Sequence, residues 1–391
     1  MDFARDPQIE AFREQTRAFI REHVTDEMVE RAHVTGTMHD WDLHRALVAT
    51  GMLADGIAST SRSGRDPMEL FIFFDELGAA KAPYFGFATT MLVAGVIEEV
   101  GNDFLKREVL GRAYAGDALI ALGYSEPDAG SDVANAATKA WRADDGSGDW
   151  IIDGQKMFTT LAHESSYAIL LTRTNPDVPK HRGLTMFILP LDAPGVEIQP
   201  VFTMGGDRTN ITFISDVRLS DDWRLGEVDG GWDVMKVALA YERGVLGNTN
   251  QAVSLLRSTV AWASQATRDD GSRVIDDPTV RVRLARIAVD NEVGELLALR
   301  AAMIASSGAL PSLEGAVTKL FASEAYNRAA EACQSIAGAA GLLGHGALGA
   351  AGNGWIDHGA RDAPVTTIYG GTSEIQRNLV AERHLGLPKA R

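Results

Sequence analysis

The spacing of apolar residues changes twice along this chain, and that change limits the possible folds more than any other feature. In residues 6–116 apolar side chains recur three and four positions apart, as at Ile9 and Phe12, which is the period of an amphipathic helix. In residues 117–226 short apolar runs are separated by Pro, Gly, Asn and Asp, a pattern typical of strands and turns. Helical spacing returns after Gly230.

This division predicts three domains in an α+β fold. We expect an N-terminal helical domain over residues 1–117, a central β domain over 118–226 and a C-terminal helical bundle over 227–391. Because no helical segment alternates with the central apolar runs, the sheet is expected to be antiparallel. The predicted strands are Trp150–Gln155, Tyr167–Thr172, Met186–Leu189, Val196–Ile198 and Ile211–Ile214. The predicted C-terminal helices are Trp232–Thr267, Pro278–Ser307, Ser312–Ile336 and Ser373–Leu385.

Composition argues against several classes of function. The 391 residues include 37 Lys and Arg against 53 Asp and Glu, a formal net charge of −16, whereas a nucleic-acid partner requires a basic surface. The nine histidines are scattered and Cys333 is the single cysteine, so neither an internal disulfide nor a protein-built metal site is expected. The chemistry is then expected from carboxylates, hydroxyls or an organic cofactor.

The sequence also suggests a compartment. No window approaches the roughly 18 apolar residues of a membrane-spanning helix. The first residues, 1–6, are too acidic and too polar for a secretory signal. We therefore expect a cytoplasmic protein without a membrane span.

One glycine-rich segment matches a dinucleotide-binding pattern but lacks the secondary structure that such a site requires. Gly344–Gly349 matches the dinucleotide-binding pattern G-x-G-x-x-G literally. That mechanism requires the loop to follow a strand and to open a helix, but here the preceding segment has helical spacing and more glycines follow. A loop between helices is the better interpretation.

The segment Leu122–Asp132 carries a more specific pattern. Its small residues let the backbone approach a flat or phosphorylated ligand, Ser125 and Ser131 supply hydroxyls, and amides in its turns can cradle an anion. On composition alone, a polar turn that leads into the β domain is the simpler interpretation.

Together with two further motifs, this segment resembles the acyl-CoA dehydrogenase family over essentially the whole chain. Ser125–Asp132 reads S-E-P-D-A-G-S-D, similar to the family signature T/S-E-P-x-A-G-S-D. Gly154–Thr160 resembles the second motif, in which an aromatic residue lies beside a flavin ring. Ile368–Asn378 resembles the third motif, near the C-terminus.

The resemblance implies non-covalent FAD, a coenzyme A thioester substrate and α,β-dehydrogenation, as in fatty-acid β-oxidation. It also implies the FAD-binding residues, which are Leu122, Tyr124, Ser125, Gly130, Ser131, Phe158, Thr159, Thr160, Arg268, Gln334, Gly338, Thr372, Ser373 and Glu374. Thr160 corresponds to a threonine that meets flavin N5. The expected substrate contacts are Ser131, which approaches the pantetheine, and Tyr241, Arg243 and Gly371.

Two departures concern the part of the FAD site that the family builds between subunits. After the first long C-terminal helix the family usually has R-x-x-F-G, but Arg268–Gly271 keeps the arginine and loses the phenylalanine register. The family loop Q-x-x-G-G-x-G appears here as Q-S-I-A-G-A-A over Gln334–Ala340. The expected assembly is a homodimer or homotetramer, with a heterotetramer containing a related chain left open.

A third departure concerns the catalytic base. Many members carry glutamate in I-Y-E-G-T, whereas Ile368–Thr372 reads I-Y-G-G-T. Gly370 has no side chain and cannot accept a proton, so either the chain is inactive or the base lies elsewhere.

Glu242 is the candidate base. The residues three and four positions away on its predicted helix are all apolar: Ala238, Leu239, Val245 and Leu246. A carboxylate on such an inward face costs several kcal/mol unless it has a purpose. The structural alternative is a pair with Arg243, but consecutive helical residues do not face each other. Members similar to isovaleryl- and long-chain-type dehydrogenases place their base at this helix position, just before an arginine.

The resemblance therefore implies a mechanism. The backbone N–H of Gly370 and a flavin ribityl hydroxyl would bond the thioester carbonyl, Glu242 would remove the α proton, and flavin N5 would accept the β hydride. An electron-transfer flavoprotein is the expected electron acceptor.

Two other classes stay open. One is a non-catalytic or half-site subunit of a heteromeric acyl-CoA dehydrogenase, and the other is a flavin oxidase or monooxygenase on the same scaffold. The sequence does not distinguish straight, branched and ring-bearing acyl chains.

Overall fold

The computed structural model describes residues 7–58, 66–245, 250–309 and 311–388. It has an N-terminal group of helices, a central eight-stranded sheet and a C-terminal helical bundle, which confirms the predicted α+β class. No helix in the described part of the chain combines the length and the apolar character that crossing a membrane requires.

The N-terminal helices pack around one apolar helix. They are α1 Pro7–His23, α2 Asp26–Thr35, α3 Trp41–Ala49, α4 Met52–Ala58, α5 Pro67–Ala79, α6 Phe85–Val100, α7 Asp103–Leu105 and α8 Gly111–Tyr114, with a π-helical turn Lys106–Leu110 between the last two. Every residue of α6 from Gly86 to Ile97 is buried, as expected of a helix that is apolar on all sides. This helix packs against α4, the first strand and the C-terminal bundle, so it is the centre of the main core.

The sheet contains the strands β1 Ile120–Gly123, β2 Lys139–Arg142, β3 Trp150–Met157, β4 Tyr167–Arg173, β5 Leu184–Pro190, β6 Val196–Phe202, β7 Arg208–Leu219 and β8 Arg224–Leu225. Their order is β6-β7-β3-β2-β4-β5-β8, and β1 pairs with β4. The five predicted strands are confirmed within β3 to β7.

The sheet is mostly antiparallel, as predicted, but two of the pairings made by the interior strand β4 are parallel. β1 runs parallel to β4, with Ile120 opposite Tyr167, and β2 makes one parallel pair with β4, Lys139 opposite Arg173. Parallel neighbours need a long crossover, and here β2 and β3 provide it in place of a helix. The absence of helical spacing in this region therefore did not exclude parallel pairing.

The C-terminal bundle contains α9 Gly231–Val245, α10 Asn250–Ala263, α11 Pro278–Ser306, α12 Ser312–Ala337, α13 Trp355–Thr366 and α14 Ser373–Leu379, followed by a π-helical turn Val380–His384. The helix predicted over Trp232–Thr267 corresponds to α9 and α10, and it ends at Ala263; residues 246–249 lie outside the described residues. Gly344–Gly349 follows a 3-10 turn, Gly338–Leu342, and not a strand, so the interpretation as a loop is confirmed.

The hairpin between β6 and β7 joins the sheet to the bundle. Arg361 on α13 donates to the carbonyl oxygen of Met204 at 2.7 Å. The ring Nδ1 of His358 lies 3.0 Å from the carbonyl oxygen of Gly205. On the other side of the hairpin, the backbone N–H of Arg208 donates to the carbonyl of Gly36, after α2, at 2.9 Å. All three regions of the chain therefore meet at this hairpin.

Candidate functional site

The first two motifs lie together where β1 and β3 end. The backbone N–H of Met157, the last residue of β3, donates to the carbonyl of Ser125, two residues after β1, at 2.9 Å. Gly154 within β3 approaches a neighbouring segment so closely that a Cβ would lie 2.7 Å from the Cα of Thr138. The fold therefore joins two segments that are about thirty residues apart in sequence.

A buried ion pair fixes the two segments to each other. Lys156 Nζ lies 2.6 Å from Glu126 Oε1, and Lys156 has no exposed surface. Glu126 also accepts the backbone N–H groups of Ala137 at 2.6 Å and Thr138 at 3.0 Å. Removing one partner of such a pair would leave an uncompensated buried charge.

The pKa values of the pair show how its charges are balanced. Burial lowers the pKa of Lys156 to about 8, although Glu126 opposes the shift. Burial raises the pKa of Glu126, but the attraction of Lys156 and the hydrogen bonds to its carboxylate outweigh that effect, and its pKa lies below the ordinary value. Both groups are therefore mainly charged near pH 7.

A strained turn follows β3, and we name residues Phe158–Leu161 the platform turn. Phe158 and Leu161 both have left-handed backbone, with φ of 60° and 61°, a conformation that L residues other than glycine rarely adopt. Leu161 is 1% exposed, whereas Phe158 is 57% exposed. Strain of this kind tends to occur at functional sites, and here its effect is to present an aromatic ring at the surface.

The threonines of the platform turn have different surroundings. Thr160 Oγ1 lies 3.1 Å from Thr209 Oγ1 on β7. Thr159 is buried, and its Oγ1 has no hydrogen-bond partner among the described residues. An unsatisfied buried hydroxyl costs about 1–3 kcal/mol. An exposed aromatic ring beside an unsatisfied hydroxyl fits a flat ligand with polar edges, such as a flavin.

The other predicted FAD-binding residues of the first motif lie in β1 and in the loop that follows it, and none of them is fully buried. Leu122 on β1, Tyr124 and Ser125 are half-buried, whereas Gly130 and Ser131 are exposed. A Cβ on Gly130 would meet no atom within 4 Å. This loop is therefore open to a ligand.

The third motif forms a second bend, and we name Gly370–Gly371 the glycine turn. Its φ angles are 62° and 85°, which glycine adopts without strain. Gln376 Nε2 donates to the carbonyl of Gly370 at 2.9 Å, and Lys319 Nζ donates to the carbonyl of Gly371 at 2.6 Å. The turn is therefore fixed through its carbonyl groups.

The glycine turn leads directly into α14. Thr372 is the N-cap of this helix, and its hydroxyl accepts the backbone N–H of Ile375 at 3.2 Å. Ser373 is buried, and its Oγ has no hydrogen-bond partner within the described ranges. Glu374 is exposed, and hydrogen bonds from its own backbone N–H and from Thr372 lower its pKa. A buried hydroxyl without a hydrogen-bond partner among the described residues, that of Ser373, therefore lies beside the glycine turn, as that of Thr159 does in the platform turn.

The candidate base lies on α9. The ring of Tyr241 packs on α6, because a Cβ on Gly95 would lie 2.5 Å from a ring carbon, and its hydroxyl donates to Glu99 at 3.5 Å. The backbones of Glu242 and Arg243 belong to α9, and their side chains lie outside the described residues.

The predicted inter-subunit residues are at the surface of the bundle. Arg268 forms an ion pair with Asp277 at 2.7 Å and is partly exposed. Gln334 is half-buried near the end of α12. Gly338 has φ of 57°, and a Cβ there would meet no atom within 4 Å. Leu348, in the following loop, is fully exposed.

Comparison with known proteins identifies the family. Three family models match consecutive parts of the chain: "Acyl-CoA dehydrogenase, N-terminal domain" over residues 6–117, "Acyl-CoA dehydrogenase, middle domain" over 121–221 and "Acyl-CoA dehydrogenase, C-terminal domain" over 229–385. The chain belongs to the acyl-CoA dehydrogenase family. It is therefore an FAD-dependent oxidoreductase that acts in acyl-CoA dehydrogenation.

Relatives of this acyl-CoA dehydrogenase match over its full length. The acyl-CoA dehydrogenase FadE26 of Mycobacterium tuberculosis (strain ATCC 25618 / H37Rv) is 35% identical over 396 residues, which cover 98% of each chain. A solved structure titled "Tcur3481-Tcur3483 steroid ACAD" is 31% identical with a TM-score of 0.89. The ChsE4-ChsE5 complex from Mycobacterium tuberculosis is 32% identical with a TM-score of 0.86. Both structural matches cover 100% of each chain.

The residues present fit the family's FAD. Phe158 and the Thr159 hydroxyl would lie against the ring system, and the open loop with Ser125 and Ser131 would take polar atoms of the cofactor. The Ser373 hydroxyl is a further unused donor beside the glycine turn.

Several residues that shape the site escaped the sequence analysis. Glu126 and Lys156 are inside the recognised motifs, and a lysine within an apolar strand is a signal that could have revealed a buried pair. Gln376 is inside the third recognised motif, whereas Lys319 gave no signal, because only the folded chain brings it to the glycine turn.

Proposed function

We propose that this acyl-CoA dehydrogenase uses Glu242 as the base that removes the α proton of a bulky, ring-bearing acyl-CoA thioester. The glycine turn carries the proposal. It occupies the place where many relatives carry a glutamate, yet neither Gly370 nor Gly371 has a side chain that could accept a proton.

The position of Glu242 on α9 supports this role. Residue 242 is four positions from Ala238 and three from Leu239. Ala238 is 1% exposed, and both belong to the main core or pack against it. Helical residues three and four apart share a face, so position 242 lies on the same face of α9 as Ala238 and Leu239.

The glycine turn would act on the thioester carbonyl. A backbone N–H at Gly370 can donate to the carbonyl oxygen and stabilise the negative charge that develops as the α proton leaves. Gln376 and Lys319 hold the carbonyls of Gly370 and Gly371, so the backbone that follows this donor is fixed. The missing side chain also leaves room for a carboxylate that approaches from α9.

When FAD is bound, its ring supplies the acceptor for the hydride that leaves the β carbon. The chain's own contribution at this step is positional: Phe158 and Thr160 would cover the ring, and Thr160 would lie near N5. The proton remains on Glu242 until product leaves, and the electrons would pass to an electron-transfer flavoprotein.

The substrate class rests on the structural relatives. The solved structure with the TM-score of 0.89 has the words "steroid ACAD" in its title, and a variant of the same protein, 30% identical to this chain, has the same description. A glycine at the former base position is compatible with a bulky acyl group. We therefore propose a polycyclic or otherwise ring-bearing acyl chain over a straight fatty acyl chain.

The same comparisons and the exposed bundle surface support a proposal about assembly. Two relatives are solved as complexes of two named chains, and Gly338 and Leu348 are open to a further chain. We propose a heteromer with a related chain that completes the FAD site. A homodimer or homotetramer is the alternative.

Anaerobic titration with CoA thioesters tests the proposal. Protein purified with its partner chain and FAD is mixed with matched thioesters of a straight and a polycyclic acyl chain, and flavin bleaching is followed. Bleaching is expected with the polycyclic thioester, and a preference for the straight chain would contradict the substrate class. Rapid reoxidation of the bleached flavin by air would indicate an oxidase. A complete lack of bleaching would favour the non-catalytic subunit.

A further inference from the structure

Asn210 on β7 is hydrogen-bonded to the backbone of the platform turn. It is fully buried, its backbone carbonyl accepts the N–H of Thr159 at 2.9 Å, and its Nδ2 donates to the Thr159 carbonyl at 3.0 Å. Both polar backbone groups of Thr159 are thus bonded to one residue. The Thr159 carbonyl also accepts the N–H of Ala162 within the turn at 3.2 Å, and Asn210 joins this turn to the sheet.

The orientation of the Asn210 amide is fixed by its neighbours. Arg208 Nε donates to Asn210 Oδ1 at 3.2 Å, so the oxygen faces the guanidinium and the NH₂ group faces the platform turn. The second N–H of that group points to Nδ1 of His163, at 3.2 Å. Because the amide nitrogen can only donate, His163 Nδ1 must be the acceptor.

This assignment fixes the tautomer of His163. With Nδ1 unprotonated, the neutral ring carries its proton on Nε2. Nε2 lies 3.4 Å from the hydroxyl of Thr37, in the connection between α2 and α3. The imidazole therefore links the N-terminal helices to the amide that holds the platform turn.

We infer that His163 is a positioning residue: its Nδ1 accepts from Asn210 and so keeps Thr159, and with it the ring of Phe158, in the orientation that receives the flavin. The inference rests on the proposed position of the flavin against Phe158–Thr160. It does not depend on Glu242 or on the acyl group.

Protonation would undo the arrangement. A doubly protonated ring has N–H groups at both nitrogens, so Nδ1–H would face the N–H of Asn210 and the hydrogen bond would be lost. The charged groups around the ring are Arg208 on β7 and Glu164 in the same loop, and His39 is the titratable neighbour from the N-terminal helices. Burial and the charge of Arg208 lower the pKa of His163 below its ordinary value, while Glu164 opposes the shift. The neutral form thus prevails at pH 7.

Three variants separate the acceptor from the rest of the side chain. His163→Leu removes the acceptor and keeps comparable bulk. His163→Asn places an amide oxygen near the position of Nδ1 but cannot titrate. Thr37→Val removes the partner of Nε2 and leaves Nδ1 intact, so it is the matched control.

Amide hydrogen exchange of residues 157–164 in the full-length chain, with and without FAD, is the first readout. Exchange relative to the intrinsic rate should be about tenfold faster in His163→Leu, as expected for the loss of one hydrogen bond. His163→Asn and Thr37→Val should remain within about twofold of the unmodified protein. As the pH is lowered through the depressed pKa of His163, protection should fall in the unmodified protein, whereas His163→Asn should show no such step.

The dissociation constant of FAD is the second readout, and it should rise by up to about tenfold in His163→Leu. If exchange accelerates while FAD affinity is unchanged, the platform turn does not contact the flavin and the proposed site is wrong, although His163 still positions the turn. If His163→Leu exchanges like the unmodified protein, or if His163→Asn loses as much protection as His163→Leu, His163 has no positioning role. Far-ultraviolet circular dichroism verifies that each variant is folded.

Discussion

The platform turn and the glycine turn both use left-handed backbone, but they use it in opposite ways. Phe158 and Leu161 adopt φ near 60° in spite of their side chains, at about 1–2 kcal/mol for each residue. Gly370 and Gly371 adopt similar angles without such a cost. The first turn is strained in order to present a side chain, whereas the second presents only backbone.

The two turns are also supported differently. The platform turn continues from β3, which the buried Glu126–Lys156 pair joins to the loop after β1. The glycine turn is held by Lys319 and Gln376 through its carbonyl oxygens. A strained turn with a functional side chain needs a rigid, buried support. A glycine turn can be fixed by side chains from other helices, and any side chain that takes part in the reaction must then come from another element.

Breaking the buried pair is expected to give the largest effect on stability. Lys156→Met leaves the Glu126 carboxylate buried without its cation and should reduce the free energy of unfolding by about 3–5 kcal/mol. Denaturant titration measures this change. Lys180→Met is the matched control, because its pair with Asp132 is about half exposed on both sides and should contribute less than about 1 kcal/mol. Equal losses in the two variants would show that burial of the pair is unimportant.

A carboxyl pair at the hairpin between β6 and β7, Asp207 and Asp362, should make stability depend on pH. Burial and the neighbouring Asp207 raise the pKa of Asp362 to about 6, while His358 and Tyr326 oppose the shift. The folded state therefore binds the proton more tightly than the unfolded state. This contribution to stability is present below the ordinary aspartate pKa and is lost as pH rises through about 6.

Asp362→Asn tests this pH dependence. A shift of about two pH units corresponds to about 3 kcal/mol, so between pH 4 and pH 8 the unmodified protein should lose up to about that much stability relative to the variant. Unfolding free energies from denaturant titrations at the two pH values give the comparison. Parallel pH profiles for the two proteins would mean that Asp362 does not retain its proton.

Adding a side chain to the glycine turn should have a smaller effect on stability. Gly370→Ala forces alanine into left-handed backbone and should cost about 1–2 kcal/mol. Gly308→Ala is the control: its φ is 80°, and a Cβ there meets no atom within 4 Å. The two variants should lose similar stability.

Flavin reduction by thioester should slow only in Gly370→Ala, by up to about 10²-fold if the donor is displaced. A similar slowing in both variants would contradict a specific role for the turn.

The sequence was sufficient to predict the order of helices and strands, because hydrophobic spacing is a local signal. The five predicted strands and the loop at Gly344–Gly349 follow from that spacing. The parallel pairing of β1 with β4 does not, since it depends on which strands become neighbours after a long crossover. Pairing is a property of the topology and leaves little trace in local composition.

The site was predicted to a similar extent. The motifs at Ser125–Asp132 and Gly154–Thr160 indicated which segments matter, and the structure brings these two together. The supports behind them were not predictable, because His163, Asn210 and Thr37 are far apart in sequence and become neighbours only when the sheet and the N-terminal helices pack. The missing base at Gly370, by contrast, was visible directly from the residue type.

We propose that the glycine turn supplies only backbone groups to the reaction and that α9 supplies the base. Glu242→Gln keeps the size of the side chain and removes the proton acceptor. In anaerobic rapid mixing with a thioester that bleaches the unmodified flavin, this variant should bind FAD and ligand nearly as before, while flavin reduction slows by at least about 10²-fold. Adding Gly370→Glu to Glu242→Gly should restore part of the rate. Reduction of the Glu242→Gln flavin at a near-normal rate would show that the base lies elsewhere and that Glu242 does not remove the α proton.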